Sequence, residues 1–480
     1  MRTRIAGTTG LLTLALGAGV APATAAEKTA GRPVTTAAAR DAAAPADKAA
    51  ATPDKAATPD RAATPDRAAP PDKAAHPDKA ATPDKAPAPK RAANPAPVAA
   101  PAPAPAAPAP APAAPAPAPA ATPAPAPVPG QLTLPAPTGR HRVGTVDLHL
   151  RDSKRMDPWV PGQQRELMVS LWYPATHTSR YPAALLPNSQ QVLPGGVTLP
   201  VTAGHTGAPV DAKAGKLPVL LYSPGGRGNR GTGTALAQDL ASRGYLVVTM
   251  DHTHDTGDVM FPDGRHELSM LPPGTKSRDL IDVRAADSHF VIDQLAKIAR
   301  GHNPDVEHKP LPHGLTDAVS TKHIGMFGAS LGGGSVAAAM HADSRIDAGV
   351  NLDGQLFGSS ADKPLDRPFM LFSSEHHNRN SDQSWQRLWK NLHGERLDLK
   401  LRGSGHNSFV DNQVLFPQAP GAFGMTPEAM QQALGTIDPN RSIEVQRTYV
   451  AAFFDKHLRD RKSHLLDGPS RDYPEVSFVR

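Results

Sequence analysis

At residues 323–342 an apolar strand pattern, HIGMFG, passes into a helical pattern, SLGGGSVAAAMHA, with a single alanine between them. A strand that gives way to a helix so abruptly belongs to a layered α/β structure, in which the helix folds back on the sheet its strand has just left. The junction reads Gly328-Ala329-Ser330-Leu331-Gly332, which fits GxSxG. In this context the pattern predicts a nucleophile elbow: the serine occupies a sharp, strained turn, and small neighbours let the turn pack. Gly333 and Gly334 prolong the run, and their lack of side chains lets the helix approach the sheet closely. A phosphate-binding loop would need GxxxxGK(S/T), which is not present.

The alternation continues on both sides. RELMVSLWYPA (165–175) reads as a strand, and LPVLLYSPGG (217–226) as an apolar strand closed by a Pro-Gly-Gly turn. TGTALAQDLASRGY (232–245) places Leu236, Leu240 and Ala241 at helical spacing and stops at Gly244; YLVVTMDH follows as a buried strand. A helix is expected over Ser277–Ala299, with Leu280, Val283, Ala286, Phe290, Val291 and Leu295 on one face. AGVNLDG, PFMLFSS and LDLKLRG are further strands. Such a series predicts a mainly parallel central sheet with helices on both faces, over residues 131–480. Sites in such sheets lie at the carboxyl ends of the strands.

A serine hydroxyl is a poor nucleophile without a base, so Ser330 calls for a histidine oriented by a carboxylate. Behind a nucleophile elbow the chain order is serine, acid, histidine. Asp353 ends AGVNLD and His406 follows LDLKLRG in GSGHNSF, both at the carboxyl end of a strand. The plainer alternatives are a turn aspartate before Gly354 and a surface histidine among twenty. A tetrahedral intermediate needs two preorganised N–H donors. Leu331 supplies one, and the glycine-rich turn SPGGRGNR the other, from Gly226 first and Arg227 next.

Two histidine clusters stand apart from this set. MDHTHDTGD groups Asp251, His252, His254, Asp255 and Asp258 after a strand. Two histidines two apart on an extended chain point the same way, so the readings are a metal site or a hydrogen-bonded loop beside the active site, the second being preferred. SSEHHNRNSD (373–382) carries the same ambiguity, with no HExxH spacing anywhere. No metal and no cofactor are assigned. VLFPQAPGAFGMTPEAMQQALGTIDPNRS (414–442) reads either as a small cap over an acyl pocket or as a surface excursion before the last helix, SIEVQRTYVAAFFDKHL.

The first quarter differs in composition. Arg2 and Arg4, an apolar run from Leu11 to Val20 and Ala23-Thr24-Ala25 predict a secretory signal peptide over 1–25, hence export. Residues 26–130 hold a six-residue repeat (TPDKAA, TPDRAA) and then an Ala-Pro tract. The repeat offers only alanine methyls to stack, so it is expected to stay disordered. The tract favours a polyproline II rod, on the order of 100 Å at about 3.1 Å per residue. It reads equally as a spacer holding the protein at a cell wall or lipid surface and as a low-complexity tail. The chain has no cysteine, which rules out disulfides, thiol catalysis and thiolate metal sites. Its formal net charge of +6 comes from well-mixed charges, which argues against a nucleic-acid groove.

GMFGASLGGGS, GVNLDGQLF and GSGHNSFVD, together with LLYSPGG and DLASRGYLVVTMDH, make the chain from about Leu134 to His457 resemble the platelet-activating factor acetylhydrolase family, plasma and intracellular type II branch. The resemblance implies an α/β-hydrolase fold and a calcium-independent serine esterase removing short or oxidised acyl groups from lipids. It implies Ser330 as nucleophile, Asp353 as the acid, His406 as the base, and Gly226 with Leu331 as the oxyanion hole. The oxyanion turn often reads Ser-His-Gly in animal members and is Ser223-Pro224-Gly225-Gly226 here, which leaves Arg227 as the other candidate donor. Cutinase-like polyester hydrolases, lipases and serine peptidases share the same three-residue chemistry. A non-catalytic hydrolase-fold binder tethered in a wall is the remaining class.

Overall fold

The computed structural model describes residues 130–187, 189 and 192–479. The signal peptide expected over 1–25 and the repeat and Pro/Ala linker over 26–130 lie outside the described residues, Gly130 apart.

The main sheet has eleven strands among the described residues. In chain order they are β1 Arg142–Met156, β2 Gln164–Ala175, β3 Ala183–Leu185, β4 Val201–Thr206, β5 Leu217–Ser223, β6 Leu246–Met250, β7 Val319–Ala329, β8 Ile346–Leu352, β9 Phe369–Ser373, β10 Arg396–Leu401 and β11 Val476–Phe478. Across the sheet they run β11-β10-β9-β8-β7-β5-β6-β2-β1-β4-β3. From β6 to β10 every neighbouring pair is parallel, whereas β2 pairs antiparallel with both β1 and β6. This is the mostly parallel α/β-hydrolase arrangement expected from the sequence.

Side-chain alternation along the central strands separates two cores. Val219 and Leu221 of β5 pack with Val291, Leu295 and Val336 on one face, from the helices Ser277–Ile298 and Leu331–Ala342. Leu220 and Tyr222 pack on the other face with Leu240, Val445, Tyr449 and Phe453, from the helices Thr234–Ser242 and Pro439–Arg459. Strands buried on both faces need a near-continuous apolar run, and LPVLLYS is buried at every position.

The helix Ser277–Ile298 departs from its expected face. Val283 and Ala286 are only partly buried, while Arg284, Asp287 and Ser288 are fully enclosed. An apolar-periodicity argument treats buried charge as surface, yet here the charged face turns towards the carboxyl ends of β5 and β6 and meets partners there. The strand expected over 165–175 is β2; its hairpin partner β1, the edge strands β3, β4 and β11 and the helix Gln383–Asn391 are additional to the elements expected from sequence.

Candidate active site

β7 lies at the centre of the sheet between β5 and β8, so the turn after it opens between two neighbouring strand ends. Ser330 occupies that turn with φ 54° and ψ −124°. Its N–H donates to Leu352 O at 2.9 Å, and its carbonyl accepts from Gly334 N at 2.9 Å. Holding a non-glycine residue there costs about 1–3 kcal/mol, so the surrounding packing must impose it. Glycine makes that packing feasible: a methyl on Gly332 would collide with Ser223 O, and one on Gly334 with Gln355 O.

The structure brings Ser330, Asp353 and His406 into one hydrogen-bonded chain. Ser330 Oγ lies 2.9 Å from His406 Nε2, and His406 Nδ1 lies 2.6 Å from Asp353 Oδ2. An ionised carboxylate only accepts, so Nδ1 carries the proton and Nε2 presents its lone pair to the serine hydroxyl. Asp353, with φ 55°, follows β8 and is buried; its Oδ1 accepts from Ser374 N at 2.7 Å and from His377 Nδ1 at 3.0 Å. Burial alone would raise the Asp353 carboxyl, but hydrogen bonds from His377 and His406 outweigh it and hold it at about 2. The imidazole of His406 is 47% exposed, and Ser330 is itself partly exposed, so the chain ends in a reachable hydroxyl.

The segment after His406 supports it from behind. Gly405 N donates to Leu434 O at 2.9 Å and Ser408 Oγ to the same carbonyl at 2.7 Å. Phe416, Met425 and Leu434 form their own apolar cluster, with the rings of Phe416 and Phe423 4.9 Å apart. Residues 414–442 therefore buttress the histidine loop.

The glycine-rich turn after β5 lies against the elbow. A methyl on Gly225 would sit 3.4 Å from Ser330 Cβ, and one on Gly226 3.6 Å from Leu331 Cδ2. Arg284 grips the turn from the opposite side, donating to the carbonyls of Pro224 and Gly225. In a trans peptide the N–H points opposite to the C=O, so the Gly226 N–H is directed away from Arg284. Arg227, with φ 61°, forms a parallel bridge with Thr256 in which its carbonyl accepts from Gly257 N at 3.1 Å. That pairing turns the Arg227 N–H towards residues 255–257, whereas the Gly226 N–H is not engaged in it.

MDHTHDTGD lies directly behind this turn. Its residues do not run as an extended pair: His254 has φ 67°, and the two histidines reach different carboxylates. His252 Nδ1 is 2.9 Å from Asp287 Oδ2, and its Nε2 is 2.9 Å from Ser223 Oγ. His254 Nδ1 is 2.9 Å from Asp157 Oδ2. Asp255 accepts from Arg284 at 2.6 and 2.9 Å, and Asp251 pairs with Arg230. Arg165, wholly buried, joins Asp157 at 2.8 Å to Asp287 at 2.6 Å. Burial opposes the Asp287 charge, but Arg165 and the hydrogen bond from His252 prevail and hold that carboxyl far below its usual range. Burial also lowers His252, keeping it neutral. The loop is thus hydrogen-bonded beside the site. Arg165, Arg284 and Asp287, which complete it, carry no motif, and only their charge within otherwise apolar elements marks them in the sequence.

Comparison with known proteins agrees with this architecture. The family model described as "Platelet-activating factor acetylhydrolase, isoform II" matches residues 127–261 and 277–468. A "Probable 1-alkyl-2-acetylglycerophosphocholine esterase" of Arthroderma benhamiae is 31% identical over 392 residues, covering 72% of this chain and 93% of its own. The platelet-activating factor acetylhydrolase of Gallus gallus is 23% identical over 389 residues, 70% and 87% of the two chains. Among solved structures, a ferulic acid esterase from Streptomyces cinnamoneus is 37% identical with a TM-score of 0.63, covering 73% of this chain and 99% of that one.

Proposed function

The chain belongs to the platelet-activating factor acetylhydrolase isoform II family, and we propose that it is an exported carboxylic-ester hydrolase working through Ser330, His406 and Asp353. The observation that carries this reading is the hydrogen-bonded chain from the strained, reachable Ser330 through His406 to Asp353, at 2.9 and 2.6 Å. His406 Nε2 accepts the Ser330 proton as Oγ attacks the ester carbonyl, and Asp353 stabilises the imidazolium that forms. The oxyanion is received by the N–H groups of Leu331 and Gly226. The intermediate collapses as His406 returns the proton to the leaving alkoxide. Water, deprotonated by the same histidine, then clears the acyl-enzyme.

The relatives, one named a probable 1-alkyl-2-acetylglycerophosphocholine esterase and one a platelet-activating factor acetylhydrolase, favour lipids with short acyl groups as substrates. The 37% identity to a ferulic acid esterase favours a second reading, hydrolysis of aromatic acyl esters by the same residues. Export rests on the amino-terminal signal-like sequence, and cell-wall or lipid-surface contact on the Pro/Ala tract.

One experiment sorts these readings: kcat/KM for p-nitrophenyl esters of increasing chain length, a 1-alkyl-2-acetyl phospholipid and methyl ferulate, each with wild type and Ser330→Ala. The lipid reading expects the acetyl phospholipid to lead and the ferulate to trail by at least about tenfold, a pocket preference of roughly 1.4 kcal/mol. A reversed order assigns the aromatic substrate. Wild-type activity in Ser330→Ala would contradict the mechanism for either substrate.

A further inference from the structure

The second histidine cluster of the sequence contains a residue that the ester-hydrolysis scheme leaves unused. His377 lies on the loop after β9 with its two ring nitrogens on two different carboxylates: Nδ1 is 3.0 Å from Asp353 Oδ1 and Nε2 is 2.8 Å from Asp382 Oδ2. A neutral imidazole has one donor and one lone pair, so in this position it would aim a lone pair at a carboxylate oxygen. Only the doubly protonated ring donates to both. The site is also built to hold that ring. Trp385 lies against it with centroids 4.4 Å apart, and the Trp385 indole N–H donates to Gly354 O at 2.7 Å. Asp382 Oδ1 caps the helix Gln383–Asn391 through Ser384 N at 2.7 Å.

We infer that His377, held as an imidazolium between Asp353 and Asp382, is a positioning residue that shares the Asp353 carboxylate with His406 and thereby sets the pH range in which His406 can take the Ser330 proton. The inference rests on the proposed role of Asp353. Asp353 faces two rings at once, one on each oxygen. The cation on Oδ1 fixes the carboxylate plane for His406, and it also offsets part of the negative charge that would favour an imidazolium at His406.

The other charged groups around His377 pair among themselves. Arg379 on the same loop is joined to Asp398 of β10, and Glu375 accepts from Lys400 at 3.2 Å; His376 is exposed. Burial works against a charged His377, but the hydrogen bonds to Asp353 and Asp382 exceed that cost and raise it to about 9.

The test uses the full chain, with kcat/KM for p-nitrophenyl acetate measured from pH 5 to 10 in wild type, Ser330→Ala, His377→Gln, His377→Asn and His377→Lys. The two neutral variants are expected to lose about tenfold in kcat with little change in KM, and their acid limb should move up by roughly half to one pH unit. His377→Lys, which restores a cation, should return the limb towards its wild-type position. An unmoved acid limb in both neutral variants overturns the inference even if kcat falls, since a purely structural residue would do that. If the neutral variants do not fold, imidazole NMR of wild type decides. One ring should stay protonated past pH 8 and titrate lower in Asp382→Asn; absence of such a ring overturns the inference. Retained activity in Ser330→Ala would instead refute the underlying ester-hydrolase mechanism, so the two failures are distinguishable.

Discussion

Two serine–histidine–aspartate chains lie side by side in this molecule. Ser330, His406 and Asp353 are linked at 2.9 and 2.6 Å, and Ser223, His252 and Asp287 at 2.9 and 2.9 Å. Judged by residue type and distance they are equivalent. Their settings differ: Ser330 is on a strained turn at the mouth of the site, whereas Ser223, His252 and Asp287 are each 0% exposed. Ser223 also ends a strand and stands 3.4 Å from Arg284 Nη1 and from Ser335 Oγ, which leaves no space for an ester. Hydrogen-bond geometry alone does not make a nucleophile; a reachable hydroxyl and a place for the oxyanion must accompany it. In our reading the outer chain carries the chemistry and the inner one braces the turn that receives the oxyanion.

That contrast predicts unequal mutants. Ser330→Ala should lower kcat by at least about 10⁴-fold with an unchanged melting temperature. Ser223→Ala should keep activity within about tenfold, while stability falls by about 1–3 kcal/mol because the His252 acceptor loses its buried donor. Steady-state assays and denaturant unfolding of both proteins would expose a reversed pattern. Asp353→Asn should cost about 10⁴-fold in kcat through loss of the correct His406 tautomer. Asp287→Asn should act first on folding, by about 3–5 kcal/mol, because it leaves Arg165 with a deficient buried partner. Arg284→Lys preserves charge but not the fork that holds both Asp255 and the turn carbonyls. It should lower kcat by roughly tenfold with KM nearly constant, through a looser Gly226 donor.

Acid should weaken both chains with the same sign. Asp353 and Asp287 are both depressed in the folded protein, so each contributes stability that is complete above the unfolded carboxylate range and is lost as pH falls, for Asp353 through about 2. His377 has the opposite sign. It is raised to about 9, so its contribution is complete below the ordinary histidine range near 6.5 and is lost as pH rises through about 9. Replacing His377 by Gln should therefore flatten the alkaline side of a plot of unfolding free energy against pH, and it should also shrink the acid side, because the His377 hydrogen bonds help hold Asp353 and Asp382 below their ordinary range.

The outer chain was legible in the sequence because each member sits where a strand ends. HIGMFG, AGVNL and LDLKL announce themselves by apolar runs, and Ser330, Asp353 and His406 follow in the order that a nucleophile elbow requires. The glycines after Ser330 were legible for the same reason, since a helix crowding a strand end leaves no room for side chains. The inner chain was not. Asp287 and Arg284 lie mid-helix, and Arg165 opens an apolar strand, so nothing local reports that their partners arrive from β5 and the 251–256 loop. His377 was visible only as one member of a histidine pair, because its role depends on Asp353 and Asp382 closing on it from two sides.

The central claim is that only the outer serine reacts. Labelling the folded protein with a fluorophosphonate and mapping the modified peptides by mass spectrometry tests it directly. The adduct should fall on Ser330, be blocked by a competing ester, and disappear in Ser330→Ala while persisting in Ser223→Ala. An adduct on Ser223, or an active enzyme that takes no label at Ser330, would contradict it.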